Sequence, residues 1–249
     1  MNAVTPLRAP LFGSNHTHSL IEGLAERGWA HAPHALDPEL VAELREEAER
    51  LDCAGETHDG RIGRRADETT RLKVRKTRIA WLDGSSPAQA RYLAGAEVLR
   101  QALNRALFLG LFEYEAHFAV YPPGGFYARH LDAFRLARGA NAAAGLGERA
   151  GRSRVVSMVT YLNRSWTEPD GGKLAVWNGA PEGPDGRPDL NALDAVPPAA
   201  EIAPEGGGVV LMLSEDVPHE VRLAHAERYA IAGWFRVNAS IAGGLDPAL

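Results

Sequence analysis

Cysteine is nearly absent from this chain of 249 residues, since Cys53 is the only one. A disulfide within the chain is therefore excluded. Residues 1–19 contain no apolar run of the kind found at the centre of a secretory signal, and no stretch approaches the roughly 18 apolar residues that a membrane-spanning helix needs. We expect neither secretion nor membrane insertion, and a cytoplasm of the bacterial type is the predicted location.

A basic excess is also missing, because 32 Asp and Glu outnumber 27 Lys and Arg and the formal net charge is −5. General nucleic-acid binding favours a basic balance, so we expect no nucleic-acid partner. With 45% hydrophobic residues, the chain is long enough to bury a sizeable core. We predict a loose terminus over residues 1–15 and a single domain over residues 16–249. The composition leaves the oligomeric state open.

Helix signals are concentrated in the first half of that domain, over residues 16–112. Asp37 is followed by a proline and then by apolar residues at helical spacing, which is typical of a capped amphipathic helix. A second helix is predicted to begin after Ser86 and to run to about Leu107. We therefore expect helices to precede the sheet region.

From residue 113 onwards, the pattern changes to short segments typical of strands. The predicted strands lie near residues 114–121, 126–132, 153–163, 173–178, 200–203, 208–214, 217–224 and 228–238. The Pro- and Gly-rich stretch 179–199 has no periodicity and is predicted to be an inserted loop. This order predicts a mostly β fold with flanking helices (α+β), in which a double-stranded β-helix, or jelly roll, spans residues 113–240 with the N-terminal helices packed outside.

The pattern His130-x-Asp132 carries the chemistry. Residues i and i+2 of a strand project from one face, so both side chains can point into one cavity. His219, from a later strand 87 residues on, would complete a set of two histidines and one carboxylate that leaves three positions on ferrous iron open. A His-x-Asp pair alone is weak evidence. The turn signal at residues 122–125 strengthens it, because it places the pair just past a predicted hairpin.

Arg228 lies nine residues beyond His219, and the two strands around them are predicted to form an antiparallel hairpin. An even-numbered connection would place His219 opposite Ala232 and turn Arg228 towards the same cavity. The guanidinium group would then pair with the distal carboxylate of a dicarboxylate whose other end chelates iron. An odd-numbered connection would turn Arg228 away.

Several short motifs point to one family. They are a Tyr-Pro-x-Gly turn at Tyr121, Arg-His-Leu-Asp at 129–132, Thr-Tyr-Leu-Asn at 160–163, Asp-Gly-Gly-Lys-Leu at 170–174, Pro-His-Glu-Val at 218–221 and Arg-Tyr-Ala-Ile-Ala-Gly-Trp at 228–234. With them, residues from about 114 to 238 resemble the catalytic core of the prolyl 4-hydroxylase branch of the iron(II)/2-oxoglutarate dioxygenases.

The resemblance implies a role for each residue that matches these motifs. His130, Asp132 and His219 would bind iron. The distal carboxylate of 2-oxoglutarate would be held by Arg228 and Tyr161, with Tyr121 beside it and Trp234 forming a wall further out.

The resemblance further implies Fe(II), 2-oxoglutarate and O2 as cofactor and co-substrates, with ascorbate as a candidate reductant. The reaction would convert 2-oxoglutarate to succinate and CO2 while hydroxylating a prolyl residue of a protein. Arginine rather than lysine at position 228 makes the core more similar to the hypoxia-sensing prolyl hydroxylases and their bacterial relatives. Residues 101–110 and 121–127 resemble bacterial enzymes whose proposed target is translation elongation factor Tu.

Residues 61–78 carry eight Lys and Arg against two acidic residues, a net charge of +6. Such a run is typical of a solvated face. The alternative is a finger that docks the protein substrate through its charges, as the corresponding segment does in similar hydroxylases. The candidate docking residues are Arg71, Lys73, Arg75 and Lys76. Arg154, at the start of a predicted strand, is likewise either an exposed residue or a substrate contact.

Two other functions compete with prolyl hydroxylation. The first is the same cofactor chemistry on a non-prolyl side chain or a small molecule. The second is a non-catalytic, cupin-like module that binds a metal or a ligand. Cupins usually supply His-x-His with a Glu and a later His, whereas this chain has His-x-Asp and a positioned Arg, which favours the oxygenase.

Overall fold

The computed structural model describes residues 11–60, 74–133, 154–184, 186 and 188–237. Within these ranges the chain forms three α-helices and two antiparallel β-sheets. None of these helices is both long and apolar enough to cross a membrane. The helices are α1 (Ser14–Arg27), α2 (Pro38–Cys53) and α3 (Pro87–Leu107). The strands are β1 (Trp29–Ala32), β2 (His58–Asp59), β3 (Arg75–Lys76), β4 (Arg78–Trp81), β5 (Glu113–Tyr121), β6 (Phe126–His130), β7 (Arg154–Tyr161), β8 (Leu174–Val176), β9 (Ala200–Ile202), β10 (Val209–Leu213), β11 (His219–Val221) and β12 (Arg228–Arg236).

Local sequence determines where α2 and α3 begin. The Asp37 side chain accepts a hydrogen bond from the backbone N–H of Glu39 at 3.2 Å, and Ser86 accepts one from Gln89 at 3.1 Å. Each helix has a proline in its first turn, where no backbone donor is needed. Both predicted helices are confirmed.

Helix α1 was not predicted, because histidine, threonine and asparagine fill its first turns and obscure a short apolar stripe. Leu20 and Leu24 of that stripe are buried against the rest of the fold. Most of the energy that holds such a helix comes from tertiary packing rather than from its own propensity. Its weak sequence signal is therefore compatible with a well-packed helix.

The predicted loose terminus is wrong for residues 11–15. Leu11 and Phe12 are buried, and α1 already begins at Ser14. Leu11 fits closely over α3, because a Cβ at Gly95 would come within 2.8 Å of it. Residues 1–10 lie outside the described ranges.

The larger sheet has the strand order β1-β10-β7-β12-β5-β4-β2, and the smaller sheet has the order β3-β6-β11-β8-β9. Strands β5 to β12 are the eight predicted strands, and they are distributed between the two sheets as in a jelly roll. The four short strands β1 to β4 extend the sheets at their edges. The predicted α+β class with a double-stranded β-helix core is confirmed.

Both predicted hairpins are wrong. Strand β5 pairs with β4 and β12, whereas β6, after the turn, crosses to the smaller sheet. The second pair separates in the same way: His219 on β11 lies opposite His130 and Val176, and Ala232 on β12 lies opposite His117 and Val159. In a jelly roll, a short connection often leads from one sheet to the other, so proximity in sequence does not identify the partner strand.

The larger sheet buries one face against the helices and turns the other towards the smaller sheet. On β12, Ile231 and Phe235 pack into the core shared with the helices, while Ala230 and Trp234 line a cavity between the sheets. This alternation follows from the two-residue period of a strand.

The described part of the predicted loop 179–199 packs beside Ala175 and Trp177, next to the smaller sheet, and contains a short 3-10 helix, Asn191–Leu193. Leu193 is buried beside Trp177. The guanidinium group of Arg129 donates to the Leu190 carbonyl at 2.8 Å. The loop is thereby fixed behind the strand that carries His130.

Candidate metal centre and co-substrate pocket

His130 ends β6, and His219 begins β11, the strand that pairs with it. The two histidines are direct partners in the register. Asp132 follows β6. Its Oδ1 lies 3.5 Å from Nε2 of His130, and its Oδ2 lies 3.5 Å from Nε2 of His219. Each of the three residues offers a ligand atom, and these atoms lie within 4.8 Å of one another. The structure thus brings together the three residues predicted to bind a metal.

Backbone carbonyls hold both imidazole rings in place. Nδ1 of His130 is 2.8 Å from the Ala128 carbonyl oxygen, and Nδ1 of His219 is 3.0 Å from that of Val217. Because a carbonyl oxygen only accepts, each Nδ1 carries the proton and each Nε2 presents a lone pair to the centre of the cluster. Such outer hydrogen bonds fix the orientation of histidine ligands.

The charges of the cluster suit a divalent cation. Burial alone would raise the pKa of Asp132, but His219, His130 and a hydrogen bond from Ser157 together hold it well below its usual range. Burial lowers the pKa of His219 to about 4, so this imidazole is neutral at physiological pH. Two imidazole nitrogens and one carboxylate on one side of a site are the donor set of non-haem Fe(II) oxygenases. The residues present therefore fit ferrous iron.

Ser157 on β7 positions the carboxylate. Its hydroxyl donates to Oδ2 of Asp132 at 2.6 Å and lies 2.9 Å from Oγ of Ser214. Ser157 was not predicted, because a serine in a strand carries no signal of its own. Its spacing of four residues from Tyr161, which places both on one face of β7, was the available clue.

We expect Ser157→Ala to weaken Fe(II) binding by about tenfold to a hundredfold, since the loss of an outer partner of a ligand typically has this effect. Anaerobic Fe(II) titration measures it. Ser214→Ala is the matched control, because it removes a hydroxyl that touches Ser157 but not the carboxylate, and its effect should be smaller. Wild-type affinity in Ser157→Ala would show that the hydrogen bond does not orient Asp132.

A cavity of about 410 Å³ extends from the cluster between the two sheets. Its floor includes every second residue of β12, in the order Arg228, Ala230, Ala232 and Trp234. The two alanines leave space in the middle of the floor, while the long side chains close its ends. The cavity therefore has a cationic end at Arg228 and an aromatic end at Trp234.

Arg228 is only 3% exposed, yet part of its guanidinium group has no partner. Its Nε donates to the Gly172 carbonyl at 2.9 Å, whereas its Nη2 is buried without a hydrogen bond. Gly172 has a φ of +68°, and a Cβ there would lie 2.9 Å from the Arg228 side chain, so a glycine is needed at this position. A buried guanidinium donor without a partner is suited to an anion.

Two tyrosines complete this end. The guanidinium carbon of Arg228 lies 4.8 Å from the ring centroid of Tyr121 and 5.2 Å from that of Tyr161. The Tyr161 hydroxyl is buried and makes no hydrogen bond of normal geometry. Burial raises its pKa to about 12, against the opposing effect of the nearby Arg228 guanidinium group, so it remains a donor at neutral pH. Two unused donors side by side match one carboxylate group. The predicted co-substrate residues Arg228, Tyr161 and Tyr121 are thus grouped at one end of the cavity.

At the other end, Arg154 is half-buried and lines the cavity, so it is not simply an exposed residue at the start of a strand. Its guanidinium group lies 3.7 Å from the ring centroid of Trp234 and pairs with Glu115 at 3.0 Å. Trp234 forms a wall of the cavity at the end opposite Arg228. This end combines a cation with aromatic surface.

Two of the candidate docking residues, Arg75 and Lys76, lie in the described part of residues 61–78, and their side chains point in different directions. Arg75 lines the cavity, with its guanidinium carbon 4.7 Å from the ring centroid of Tyr127, and that ring in turn stacks on His130 at 3.6 Å. Lys76 points outwards and donates to the Pro123 carbonyl at 3.3 Å. Arg71 and Lys73 lie outside the described residues.

Comparison with known proteins places this site in a family. Residues 116–236 match the family model of the 2OG-Fe(II) oxygenase superfamily. A solved prolyl-4-hydroxylase from Pseudomonas putida is 36% identical, with a TM-score of 0.67, and the match covers 89% of this chain and 99% of that one. A prolyl hydroxylase from Trichoplax adhaerens, solved with a peptide of hypoxia inducible factor, is 23% identical over 88% of each chain with a TM-score of 0.68, which supports the fold.

Among curated proteins, human Egl nine homolog 1 is 25% identical over 210 residues. That match covers 80% of this chain but 42% of the human protein, so the chain spans less than half of that relative's length. Enzymes of the matched superfamily use Fe(II), 2-oxoglutarate and O2, and the His-Asp-His cluster fits that cofactor set. By the motifs, the fold and the close Pseudomonas match, this chain belongs to the iron(II)/2-oxoglutarate oxygenase superfamily, within its prolyl 4-hydroxylase branch.

Proposed function

We propose that this protein hydroxylates a prolyl residue of a protein substrate. The residues that would hold Fe(II) are His130, Asp132 and His219. Bound Fe(II) would supply the activation of O2. In the balance of the reaction, 2-oxoglutarate, O2 and a prolyl residue give succinate, CO2 and a hydroxyprolyl residue. The observation that carries the proposal is the pair of unused donors, Arg228 Nη2 and the Tyr161 hydroxyl, at the end of a cavity that also contains the cluster.

The protein residues bind and orient the reactants. Arg228 and Tyr161 would bind the distal carboxylate of 2-oxoglutarate through charge-assisted hydrogen bonds, with Tyr121 alongside. The low floor at Ala230 and Ala232 leaves room for the carbon chain. The co-substrate would then lie between the cationic end and the cluster, and the aromatic end would stay free for the second substrate.

That free end suits a peptide. Trp234 would form an apolar wall for a proline ring, with the Arg154 guanidinium group over the Trp234 ring and Arg75 against Tyr127. Lys76, together with Arg71 and Lys73, would add the docking of an acidic protein surface at longer range. These contacts support a protein partner.

For the identity of that protein, we propose elongation factor Tu, on the resemblance of residues 101–110 and 121–127 to bacterial hydroxylases. Purified bacterial elongation factor Tu, incubated with enzyme, Fe(II), 2-oxoglutarate and O2, should gain the mass of one oxygen atom. Peptide mass spectrometry should place that atom on a proline. A reaction without 2-oxoglutarate is the control.

A host lysate treated in the same way separates the substrate hypotheses. Oxygen on a proline of another protein would support prolyl hydroxylation but would identify that protein, rather than elongation factor Tu, as the substrate. Oxygen only on a non-prolyl side chain or a small molecule would favour the competing substrate class and contradict prolyl hydroxylation.

A further inference from the structure

The aromatic end of the cavity contains two hydrogen-bonding groups that the proposed reaction does not use. His117 on β5 is 2% exposed and Trp234 on β12 is 7% exposed, and both line the cavity. Their ring centroids lie 5.5 Å apart. His117 is a direct register partner of Trp81 on one side and of Ala232 on the other, so the small alanine leaves its ring open towards the cavity floor.

His117 presents a hydrogen-bond acceptor. Its Nδ1 lies 2.9 Å from the Phe118 carbonyl oxygen, and since that oxygen only accepts, Nδ1 carries the proton. Burial lowers the pKa of His117 to about 3, which keeps the ring neutral at physiological pH. Nε2 therefore has a free lone pair, and no residue in the described part of the chain donates a hydrogen bond to it.

Trp234 presents the complementary donor. Its indole Nε1–H can only donate, and in the described structure this atom is buried without a partner. Buried polar atoms are nearly always paired, so an unused donor beside an unused acceptor indicates a ligand that has one of each. Arg154 does not take the place of that ligand. Its guanidinium group lies over the Trp234 ring and has no acceptor for the indole N–H.

An extended peptide has this combination. The N–H and C=O groups of one residue in an extended chain project to the same side, which is how paired residues in an antiparallel sheet exchange two hydrogen bonds. Proline has no N–H, so the target proline cannot fill the acceptor of His117. Its neighbours can.

On the basis of the proposed function, we propose that His117 and Trp234 form a subsite for the backbone N–H and C=O of a residue that flanks the target proline. His117 accepts the N–H and Trp234 donates to the C=O. The subsite thereby selects against a second proline at that flanking position, because a proline there would leave His117 without a donor. His117 is a specificity-determining residue in this scheme.

An ester scan tests the subsite. Synthetic peptides spanning the proline that the wild-type enzyme hydroxylates are made with each flanking N–H replaced in turn by an ester oxygen, which removes the donor without adding bulk. The wild-type enzyme should lose about tenfold to a hundredfold in kcat/KM at one flanking position and little elsewhere, as expected when a buried acceptor is left unpaired. Tryptophan fluorescence of the metal-free protein should show the same order of peptide affinities.

Three variants assign the effect to one atom. His117→Leu removes the acceptor, so it should handle the amide and ester peptides within about twofold of each other. His117→Gln places an amide oxygen near the position of Nε2 and should restore part of the discrimination. His58→Leu, at an exposed histidine on β2, should discriminate as the wild type does. Thermal unfolding of each variant checks the fold.

Equal rates for every ester peptide with the wild-type enzyme would overturn the subsite, and so would full discrimination in His117→Leu. Both results leave prolyl hydroxylation intact. The proposed function itself fails, and the subsite with it, if the wild-type enzyme hydroxylates no proline in any protein or peptide.

Discussion

Replacement of His219 by alanine is expected to lower Fe(II) affinity by more than about a hundredfold and to abolish succinate formation, because it removes one of only three protein ligands. The same result is expected for His130→Ala. Each imidazole is held by a backbone carbonyl with its Nε2 facing inwards. Among the described residues, the cluster contains no fourth histidine, cysteine or carboxylate that could replace a lost ligand. Anaerobic Fe(II) titration and a succinate assay measure the two effects.

The fold should survive both changes, since these side chains line a cavity rather than pack in the apolar core. Circular dichroism and thermal unfolding check this point. His18→Ala is the matched control, because His18 is an exposed histidine on α1, and it should bind Fe(II) and form succinate as the wild type does. Normal Fe(II) affinity in both ligand variants would show that the cluster is not the metal site.

The candidate metal residues could be predicted to lie together because the spacing His130-x-Asp132 is a local property of the chain. The prediction placed His130 and Asp132 on one strand, whereas β6 ends at His130 and Asp132 lies just beyond it. The short spacing still brings the carboxylate to both imidazole rings. The helices over residues 38–53 and 87–107 were predictable for the same reason, since their caps lie within a few residues of their first turns. Features that depend only on residues close together in the sequence were therefore predictable.

Strand pairing depends on distant contacts, and there the sequence was misleading. The predicted hairpin would have placed His219 opposite Ala232, but the two residues lie in different sheets. His219 and Arg228 still line the same cavity, for a different reason: each faces inwards from its own sheet, and the two inner faces enclose that cavity. The conclusion was right although its geometry was wrong.

Residues whose roles depend on distant neighbours were the hardest to predict. Ser157 matters because its hydroxyl reaches Asp132, and His117 because two tryptophans and a small alanine surround it. Serine and histidine occur in many strands without such roles. Only the assembled sheets distinguish them.

Replacement of Arg228 by lysine is expected to raise the KM for 2-oxoglutarate by about tenfold to a hundredfold, the range expected for the loss of a hydrogen bond to a charged group. Arg228 uses Nε to hold the Gly172 carbonyl and leaves Nη2 for the ligand. A lysine has one ammonium group and cannot make both contacts with the same geometry, although it keeps the charge. Steady-state succinate formation as a function of 2-oxoglutarate concentration measures the change.

Fe(II) affinity separates this effect from damage to the metal centre. It should stay at the wild-type level in Arg228→Lys, because Arg228 lies at the end of the cavity and contacts none of the three ligands. Tyr161→Phe, which removes only the second unused donor, should raise the KM in the same direction but by less, since a neutral hydroxyl contributes less than a guanidinium group. Arg222→Lys, at a half-exposed surface arginine, is the matched control. An unchanged KM in Arg228→Lys would mean that the co-substrate carboxylate binds elsewhere in the cavity, and Arg154 at the opposite end would then be the next cation to test.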